Sequence, residues 1–381
     1  MKYEMKTLGS VATYINGRAF KPTEWETEGL PIIRIQNLTD LGAKCNFSSK
    51  EHDERFRVRN GDLLFAWSAS LGAHIWRGGD AWLNQHIFRV VPNNGIDKMY
   101  LYYFLCSVVA KLYSKTHGSG MVHITKAPFM ATPIPVPDIA EQERIVARIE
   151  ELFSELDNGV ETLRKTKQQL SVYRQAVLKE AFQKCIDRVP IQSVCRCVTD
   201  GDHMPPPKAP SGVPFVMISN VENSKILWDN TAYVSREYFN AIDSKRKPKK
   251  GDVLYTVTGS YGIPILVDFK KEFCFQRHIA LLRPNDNTLS EFLYYALMEP
   301  SVYAQATKGA TGTAQKTVGL GVLRRMVIPY TSSVELQERI VSEIEGRLSM
   351  CEHISETVDV ALHEAEAMRQ SILKQAFEGR L

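Results

Sequence analysis

The feature that most constrains this chain is an internal duplication. The letters QERIV stand at residues 142–146 and again at 337–341, and residues 142–182 share 16 identities with residues 337–377 over 41 ungapped positions. Three upstream stretches also match in the same order, while the offset grows from 183 to 192 residues: GLPIIRIQNL with GVPFVMISNV, NGDLLFAWSASLG with KGDVLYTVTGSYG, and QHIFRVVPNN with RHIALLRPND. The chain is therefore a tandem repeat of one unit of about 190 residues, and 381 residues are too many for one ordinary core.

Each repeat closes with a segment that predicts one long helix. Apolar residues recur in steps of four and three, and no proline interrupts either copy. A helix of some 40 residues is roughly 60 Å long. It cannot bury an apolar stripe alone, so we expect the two helices to pair as an antiparallel coiled coil about an internal pseudo-twofold axis. Two separate helical domains are the alternative.

The expected seam between the helices is not fully apolar. Lys167 interrupts the first stripe, and Arg347 and Ser355 interrupt the second. The predicted seam residues are Ile145, Ile149, Leu152, Leu156, Leu163, Leu170, Ile340, Ile344, Val358, Leu362 and Ile372.

The rest of each repeat, roughly 140 residues, predicts a mixed globular part. The stretches PIIRIQNL, GDLLFAW and HIFRVV and their second copies predict strands, while Met99–Tyr113 and Leu289–Ala306 predict helices. The fold class is therefore α+β: a tandem duplication of two mixed α/β domains separated by two long helices.

Composition excludes several classes of protein. The net charge of +4 is too small to indicate a polyanionic partner by itself. The longest apolar run, Met99–Ala110, is short of the roughly 20 residues of a membrane span, and the N-terminus lacks the apolar core of a signal peptide. The seven Cys are scattered without a C-x-x-C pair, which fits neither a disulfide framework nor a zinc site. We expect a cytoplasmic protein.

Motifs for catalysis are missing from the sequence. There is no G-x-x-x-x-G-K-[ST] loop, no H-E-x-x-H, no G-x-S-x-G and no zinc-deaminase signature. We therefore predict no catalytic residue and no metal site, and a role in binding.

The whole chain resembles the specificity (S) subunit of type I restriction–modification enzymes. The resemblance rests on the helix openings EQERIV and LQERIV, the closings RQAVLKEAF and RQSILKQAF, the IPVP and VIP segments before the helices, and the terminal AFEGRL. It implies a first target recognition domain (residues 1–138), a central conserved helix (139–184), a second target recognition domain (185–333) and a C-terminal conserved helix (334–381).

The resemblance also implies a function without catalysis by this chain. Each recognition domain would bind one half of a bipartite, asymmetric double-stranded DNA site, and the helices would set the spacer and dock two methyltransferase (M) subunits. Those subunits would methylate adenine N6 with S-adenosylmethionine. Up to two restriction (R) subunits would use ATP and Mg²⁺ to cut unmodified foreign DNA. No cofactor would bind this chain itself.

The candidate DNA contacts are polar, basic or aromatic residues on predicted loops. They follow the GDLLFAW strand and its copy, or lie in NQH and QRH, in two Gly-rich segments (116–126 and 307–317), or in the basic run SKRKPKK. The candidates are Trp67, Ser68, Ser70, Asn84, Gln85, His86, Ser119, His123, Lys126, Lys245, Arg246, Lys247, Lys249, Lys250, Thr258, Ser260, Tyr261, Gln276, Arg277, His278, Lys308, Thr311, Gln315 and Lys316. Alternatively, the Gly-rich loops only turn the chain, the basic run is a solvated loop, and His86 and His278 are structural.

Two other functions stay open from the residues alone. One is a non-catalytic coiled-coil scaffold that binds proteins and has no DNA specificity. The other is a nuclease or methyltransferase in its own right, which would require activity from the isolated chain.

Overall fold

The chain divides into two compact units. A computed structural model describes residues 3–40, 42–68, 70–114, 126–203, 206–313 and 315–381, with the backbone alone for 110–114. The first unit comprises Met1–Leu163 and Val360–Leu381, and the second comprises Arg164–Asp359. Each unit therefore contains one globular part together with a stretch of each long helix.

The first unit alternates short strands with helices. Its strands are β1 (Glu4–Thr7), β2 (Ala12–Asn16), β3 (Leu30–Ile33), β4 (Asn46–Ser48), β5 (Arg57–Val58), β6 (Leu63–Ala66), β7 (Gly72–Ile75), β8 (Ala81–Leu83), β9 (Ile87–Pro92) and β10 (Pro133–Val136). Its helices are α1 (Leu8–Val11), α2 (Ile35–Thr39), α3 (Lys98–Ser114), α4 (Lys126–Met130) and the first part of α5 (Ile139–Ala181). An antiparallel sheet has the order β2-β9-β6-β7, a mixed sheet the order β4-β3-β8-β5, and β1 pairs with β10.

The second unit repeats this topology. Its strands are β11 (Asp187–Pro190), β12 (Cys195–Asp200), β13 (Val213–Val216), β14 (Val221–Glu222), β15 (Lys225–Ile226), β16 (Ala232–Val234), β17 (Val253–Thr256), β18 (Pro264–Leu266), β19 (Cys274–Phe275), β20 (Ile279–Pro284) and β21 (Val327–Tyr330). Its helices are α6 (Arg236–Ala241), α7 (Ser290–Met298), α8 (Pro300–Gly309), α9 (Leu320–Arg325) and the first part of α10 (Val334–Phe377). The sheet β12-β20-β17-β18 corresponds to β2-β9-β6-β7, and the sheet β16-β13-β19 corresponds to β4-β3-β8.

The central strands β6 and β17 explain why GDLLFAW and GDVLYTV read as unbroken apolar runs. Leu63 and Phe65 belong to the main core of the first unit, whereas Leu64 belongs to a second core on the opposite face of the sheet. Tyr255 and Leu254 divide between two cores of the second unit in the same way. Because successive side chains of a strand alternate faces, a strand covered on both faces needs apolar residues throughout.

Two predicted elements are wrong in extent. The stretch PIIRIQNL is a strand only to Ile33, because the buried Asn37 side chain accepts a hydrogen bond from Arg34 N (3.1 Å) and donates one to Ala43 O (3.1 Å) and so stabilises the turn into α2. Its counterpart Asn220 makes equivalent bonds after β13. The predicted helix 289–306 is two helices, α7 and α8, because Pro300 cannot continue the first helix.

The long helices run antiparallel to each other within each unit. In the first unit, Arg369 of α10 pairs with Asp157 of α5, while Arg144 donates to the backbone oxygen of Leu381 at 3.3 Å. Residues with lower numbers in α5 therefore lie beside residues with higher numbers at the C-terminal end of the chain, as antiparallel packing requires. The second unit shows the same trend, because α10 residues 347 and 359 pair with α5 residues 180 and 167.

The charged residues that interrupt the predicted stripes form these pairs. Lys167 Nζ lies 2.5 Å from Asp359 Oδ1, and Arg347 Nη1 lies 2.9 Å from Glu180 Oε2. The Arg347 guanidinium also stacks on the ring of Tyr173, 5.3 Å from its centroid. The interruptions are therefore cross-helix ion pairs.

The predicted seam residues differ in burial. Ile145 and Ile149 are buried with Leu373 of α10 in the main core of the first unit, and Ile340 and Ile344 are buried with Val177 of α5 in that of the second. Val358 is buried, and the half-buried ones are Leu152, Leu156, Leu163, Leu170, Leu362 and Ile372.

Candidate nucleic-acid interface

The first glutamine of each QERIV motif joins a long helix to its globular part. Gln142 is fully buried: its Oε1 accepts from Asp97 N at 2.9 Å, and its Nε2 donates to Gly95 O and Pro137 O, each at 2.9 Å. Gln337 is also fully buried and makes the same set of bonds, to Leu289 N (2.8 Å), Asn287 O (2.9 Å) and Thr331 O (2.8 Å). Each motif begins with glutamine because this fully buried side chain needs hydrogen-bond partners and finds them in three equivalent backbone groups. The residue type alone did not reveal that these glutamines join helix and globular part, but the exact repetition of QERIV marked both positions.

The NQH segment of the first unit is a turn between β8 and β9. Gln85 N donates to Arg18 O (2.8 Å), Gly17 N donates to Ile87 O (3.1 Å), and Trp67 N donates to His86 O (3.1 Å). A Cβ on Gly17 would lie 2.0 Å from Asn84 O, so only glycine permits this close approach of two backbones. The backbone of the turn is held at three points.

The QRH segment of the second unit has the same frame. Arg277 N donates to Asp202 O (3.0 Å), Gly201 N to Ile279 O (3.4 Å), and Val257 N to His278 O (2.8 Å). A Cβ on Gly201 would lie 2.0 Å from Phe275 O. The two turns therefore share three equivalent backbone hydrogen bonds, although His86 has a positive φ of 74° that His278 does not share.

The side chains around the first turn are largely aromatic. The Trp67 and His86 rings lie 4.9 Å apart, and Trp67 Nε1 donates to Asn16 Oδ1 at 3.2 Å. Gln85 and Ser70 are exposed, and Asn84 is half-buried. Ser68 is only 2% exposed, so its side chain is buried in this structure and its contact with DNA stays a prediction.

The second turn borders a cleft of about 420 Å³ that brings together three separate candidate segments. Arg277 and His278 of QRH, Thr258 after β17, and Gln315 of the Gly-rich segment line it. Gly259 N donates to Lys316 O (3.0 Å), which ties the Gly-rich segment to the end of β17. Thr258 is 7% exposed and lies in the inner wall of this cleft, and its contact with DNA stays a prediction.

Burial lowers the pKa of His278, and the charge of Arg277 lowers it further. The imidazole is therefore neutral at neutral pH and can both donate and accept hydrogen bonds. Gln276 and Tyr261 are half-buried beside this region, and Ser260 is exposed.

The structure describes only parts of the two Gly-rich segments. Ser119 and His123 lie outside the described residues, and Lys126 is exposed at the start of α4. In the second unit Thr311, Gln315 and Lys316 are exposed outside regular elements, whereas Lys308 lies in the last turn of α8 and not in a loop.

The basic run divides into engaged and exposed cations. Lys247 Nζ donates to Asn240 O (3.0 Å) and lies over the Phe239 ring, and Arg246 lies 3.5 Å from Asp200. The exposed cations are Lys245, Lys249 and Lys250.

Among the residues that the structure describes, the His, Cys, Asp and Glu side chains form no group of three that could hold a metal ion. Within the same ranges, none of the helices has both the length and the apolar character needed to cross a membrane.

Comparison with known proteins finds one family. The model of the type I restriction modification DNA specificity domain matches residues 1–170 and 200–346. The EcoBI specificity subunit of Escherichia coli is 24% identical over 407 residues, covering 98% of this chain and 85% of that subunit. The MjaVIII specificity subunit of Methanocaldococcus jannaschii is 24% identical over 408 residues, covering 100% and 93%.

A solved structure shares the fold. A chain described under "Structural basis underlying complex assembly and conformational transition of the type I R-M system" has a TM-score of 0.72 at 20% identity. The match covers 100% of this chain and 98% of that one.

Proposed function

We propose how this chain acts from one premise: it belongs to the family of type I restriction–modification DNA specificity proteins. It is therefore the DNA-recognition component of such a system and not the component that carries the chemistry. We assign residues 1–138 and 185–333 as the two target recognition domains, each of which binds one half of a bipartite, asymmetric double-stranded DNA site.

One observation carries this assignment. The turns at Gln85 and Arg277 share three equivalent backbone hydrogen bonds but expose different side chains. Two readers with a common frame and different exposed groups suit two half-sites of different sequence, because base edges are distinguished by side-chain donors and acceptors.

Phosphate contacts are the second part of the proposal. Lys245, Lys249 and Lys250 are exposed cations on one short run of the second recognition domain. Exposed lysines suit the DNA backbone, because they neutralise phosphate without requiring a fixed orientation. We assign them to affinity rather than to sequence reading.

The helices, residues 139–184 and 334–381, act as the spacer between the half-sites. Helix α5 has 43 residues and α10 has 44, so each is roughly 65 Å long. Buried Gln142 and Gln337 each fix the start of one helix to its own recognition domain. A change in helix length would therefore change the gap and leave both half-sites unchanged.

The same helices dock two methyltransferase subunits. Large apolar side chains remain exposed on them, at Val172, Met350, Ile354, Val360 and Met368. Exposed apolar side chains of this size support a protein partner. Those subunits would bring S-adenosylmethionine, and restriction subunits, where they join, would bring ATP and Mg²⁺. All these components would work in the cytoplasm, where the DNA is.

The test is an adenine methylation map of cells that carry this chain with its methyltransferase partner, compared with cells that lack this chain alone. We expect one split motif, two short defined halves around a fixed gap, to disappear from the map. An unchanged map with an active methyltransferase would contradict the proposed function.

A further inference from the structure

We propose that Gln85 and Arg277 are equivalent specificity-determining residues of the two recognition domains. Gln85 would read the adenine of an A·T pair, and Arg277 would read the guanine of a G·C pair, each in the major groove. This inference rests on the proposed function and deepens it by naming one base pair in each half-site.

The backbones that carry the two side chains share their main hydrogen bonds, although His86 has a left-handed φ of 74° and, in the second turn, Ile279 N also donates to Gln276 O at 3.0 Å. Gln85 N and Arg277 N donate to the backbone oxygens of Arg18 and Asp202, at 2.8 and 3.0 Å, and flanking bonds hold each turn on both sides. In both repeats a glycine, Gly17 or Gly201, stands where the backbone passes too close to the turn for a Cβ atom. A fixed backbone limits the positions that a side chain can reach, which is what a specific base contact requires.

The two side chains are available to a ligand. Both are exposed, and neither has a hydrogen-bonding or ionic partner among the residues that the structure describes. Two carboxylates of this region, Asp202 and Asp200, have other partners. Asp202 accepts from Tyr238 Oη at 2.8 Å, and Asp200 lies 2.8 Å from His203 Nε2. The Arg277 guanidinium is therefore left for an acceptor outside the chain.

Arg277 also stands between two clefts. It lines the cleft of about 420 Å³ with His278 and Gln315, and a second cleft of about 230 Å³ with Tyr233 and Lys208. Its side chain is therefore accessible from both clefts.

The chemistry of the two side chains differs in a way that matches two bases. Arginine has five N–H donors and no acceptor, and it pairs in bidentate fashion with the O6 and N7 acceptors of guanine. Glutamine has both a donor and an acceptor, and it pairs with the N6 donor and N7 acceptor of adenine.

Contact with phosphate explains glutamine at position 85 and arginine at position 277 less well than base reading does. A position used in both repeats to neutralise phosphate would carry a cation in both, but the first repeat has an uncharged glutamine. Exposed lysines elsewhere on the second domain already suit that role. The exchange of glutamine for arginine is instead an exchange of hydrogen-bonding pattern.

The test uses the complete chain with its methyltransferase partner and maps adenine methylation for the unaltered chain and for Arg277→Gln and Gln85→Arg. We expect Arg277→Gln to lower methylation of the original motif by roughly 5- to 150-fold and to replace one G·C pair by A·T in one half only. Gln85→Arg should make the converse change in the other half. Lys250→Gln, which removes an exposed cation from the same domain, should lower methylation of all sites without changing the motif.

Arg277→Lys separates base reading from charge. Because lysine keeps the charge but loses the bidentate fork, we expect it to relax the choice at that one base pair. An unchanged motif in Arg277→Lys and Arg277→Gln, or an original motif that lacks a G·C pair in the affected half, would overturn the proposal. If an Arg277 variant complex no longer methylates, its binding is measured to duplexes that carry each base pair at each position of the half-site. A retained preference for G·C overturns the proposal, and a lost preference supports it. Failure of the proposed function differs from both, because the unaltered complex would then give no split motif at all.

Discussion

The turn at Gln85 in the first repeat and the turn at Arg277 in the second have matching backbone hydrogen bonds but different exposed side chains. The buried polar residues behind them match as well: Asn37 and Asn220 stabilise equivalent turns, and Gln142 and Gln337 bind equivalent backbone groups. The duplication therefore retained the groups that position the surface, while the surface itself changed. Two readers of different sequences need this division of labour.

The repeats also differ inside the protein. Asp62 and Asp252 each accept a backbone hydrogen bond three residues upstream, from Arg59 N and Lys249 N. Of the two, Asp252 alone pairs with an arginine among the residues that the structure describes, through Arg283 Nε and Nη2 at 2.8 Å each, and that hydrogen bonding raises the pKa of Arg283. Val91 occupies the position of Arg283 in the first repeat, so the half-buried Asp62 and the buried Asp252 have different surroundings.

The largest effect should come from a feature that both repeats share. Gln142→Ala and Gln337→Ala each remove three hydrogen bonds from a fully buried side chain to the backbone and open a cavity, so each should lower the free energy of unfolding by about 3 to 4 kcal/mol. Urea unfolding curves measure this loss. The neighbouring exposed Glu143→Ala and Glu338→Ala should cost less than about 0.5 kcal/mol. A loss of stability in only one of the two variants would contradict the equivalence of Gln142 and Gln337 in joining helix to globular part.

The next effect should distinguish the repeats. Arg283→Met leaves the carboxylate of Asp252, 3% exposed, without its ionic partner and should cost about 3 kcal/mol. Val91→Met at the corresponding exposed position should change stability by less than about 0.5 kcal/mol. Equal costs in the same urea experiment would mean that the ion pair contributes nothing particular to the second repeat.

A smaller effect should appear in both helix pairs. Arg347 pairs with Glu180 in the second unit, and Arg369 pairs with Asp157 and stacks on Phe153 in the first. Because these pairs are partly exposed, we expect Arg347→Met and Arg369→Met each to cost about 0.5 to 1 kcal/mol, and less at high salt. A cost that does not fall between 0.05 and 1 M salt would argue for packing as the source instead.

The smallest effect concerns pH. Burial, followed by the charge of Arg18, lowers the pKa of His52 below its ordinary value of 6.5. The unfolded chain therefore binds this proton at a higher pH than the folded chain, and His52 makes the fold less stable as the pH falls below about 6.5. The second repeat has Ile242 at the corresponding position, so His52→Ile should reduce the loss of stability between pH 7 and pH 5. An unchanged pH dependence would assign that loss to other groups.

The architecture was predictable from the sequence because the repeat carries it. Two matched sets of strands and two long proline-free segments with apolar stripes indicated a duplicated α+β fold with long helices, and the NQH and QRH segments marked the equivalent turns. The wrong elements were those decided by single residues, since Pro300 ends a helix inside an otherwise helical pattern and Asn37 replaces the end of a strand by a turn.

The remaining features depend on partners distant in sequence. Ser68 and Thr258 follow a strand as exposed loop residues would, but their burial depends on segments that the pattern does not bring together. The role of Arg347 as a cross-helix partner of Glu180 could not be read from its own helix, where it only interrupts a stripe. Such placements require the tertiary structure.

The central claim is that each repeat reads its own half-site through the same frame. The most direct test replaces residues 185–333 by a second copy of residues 1–138, which carry the backbone groups that a QERIV glutamine binds. With the methyltransferase partner present, we predict an adenine methylation map in which both halves of the split motif have the same sequence. Methylation of the original motif, with two different halves, would contradict the claim.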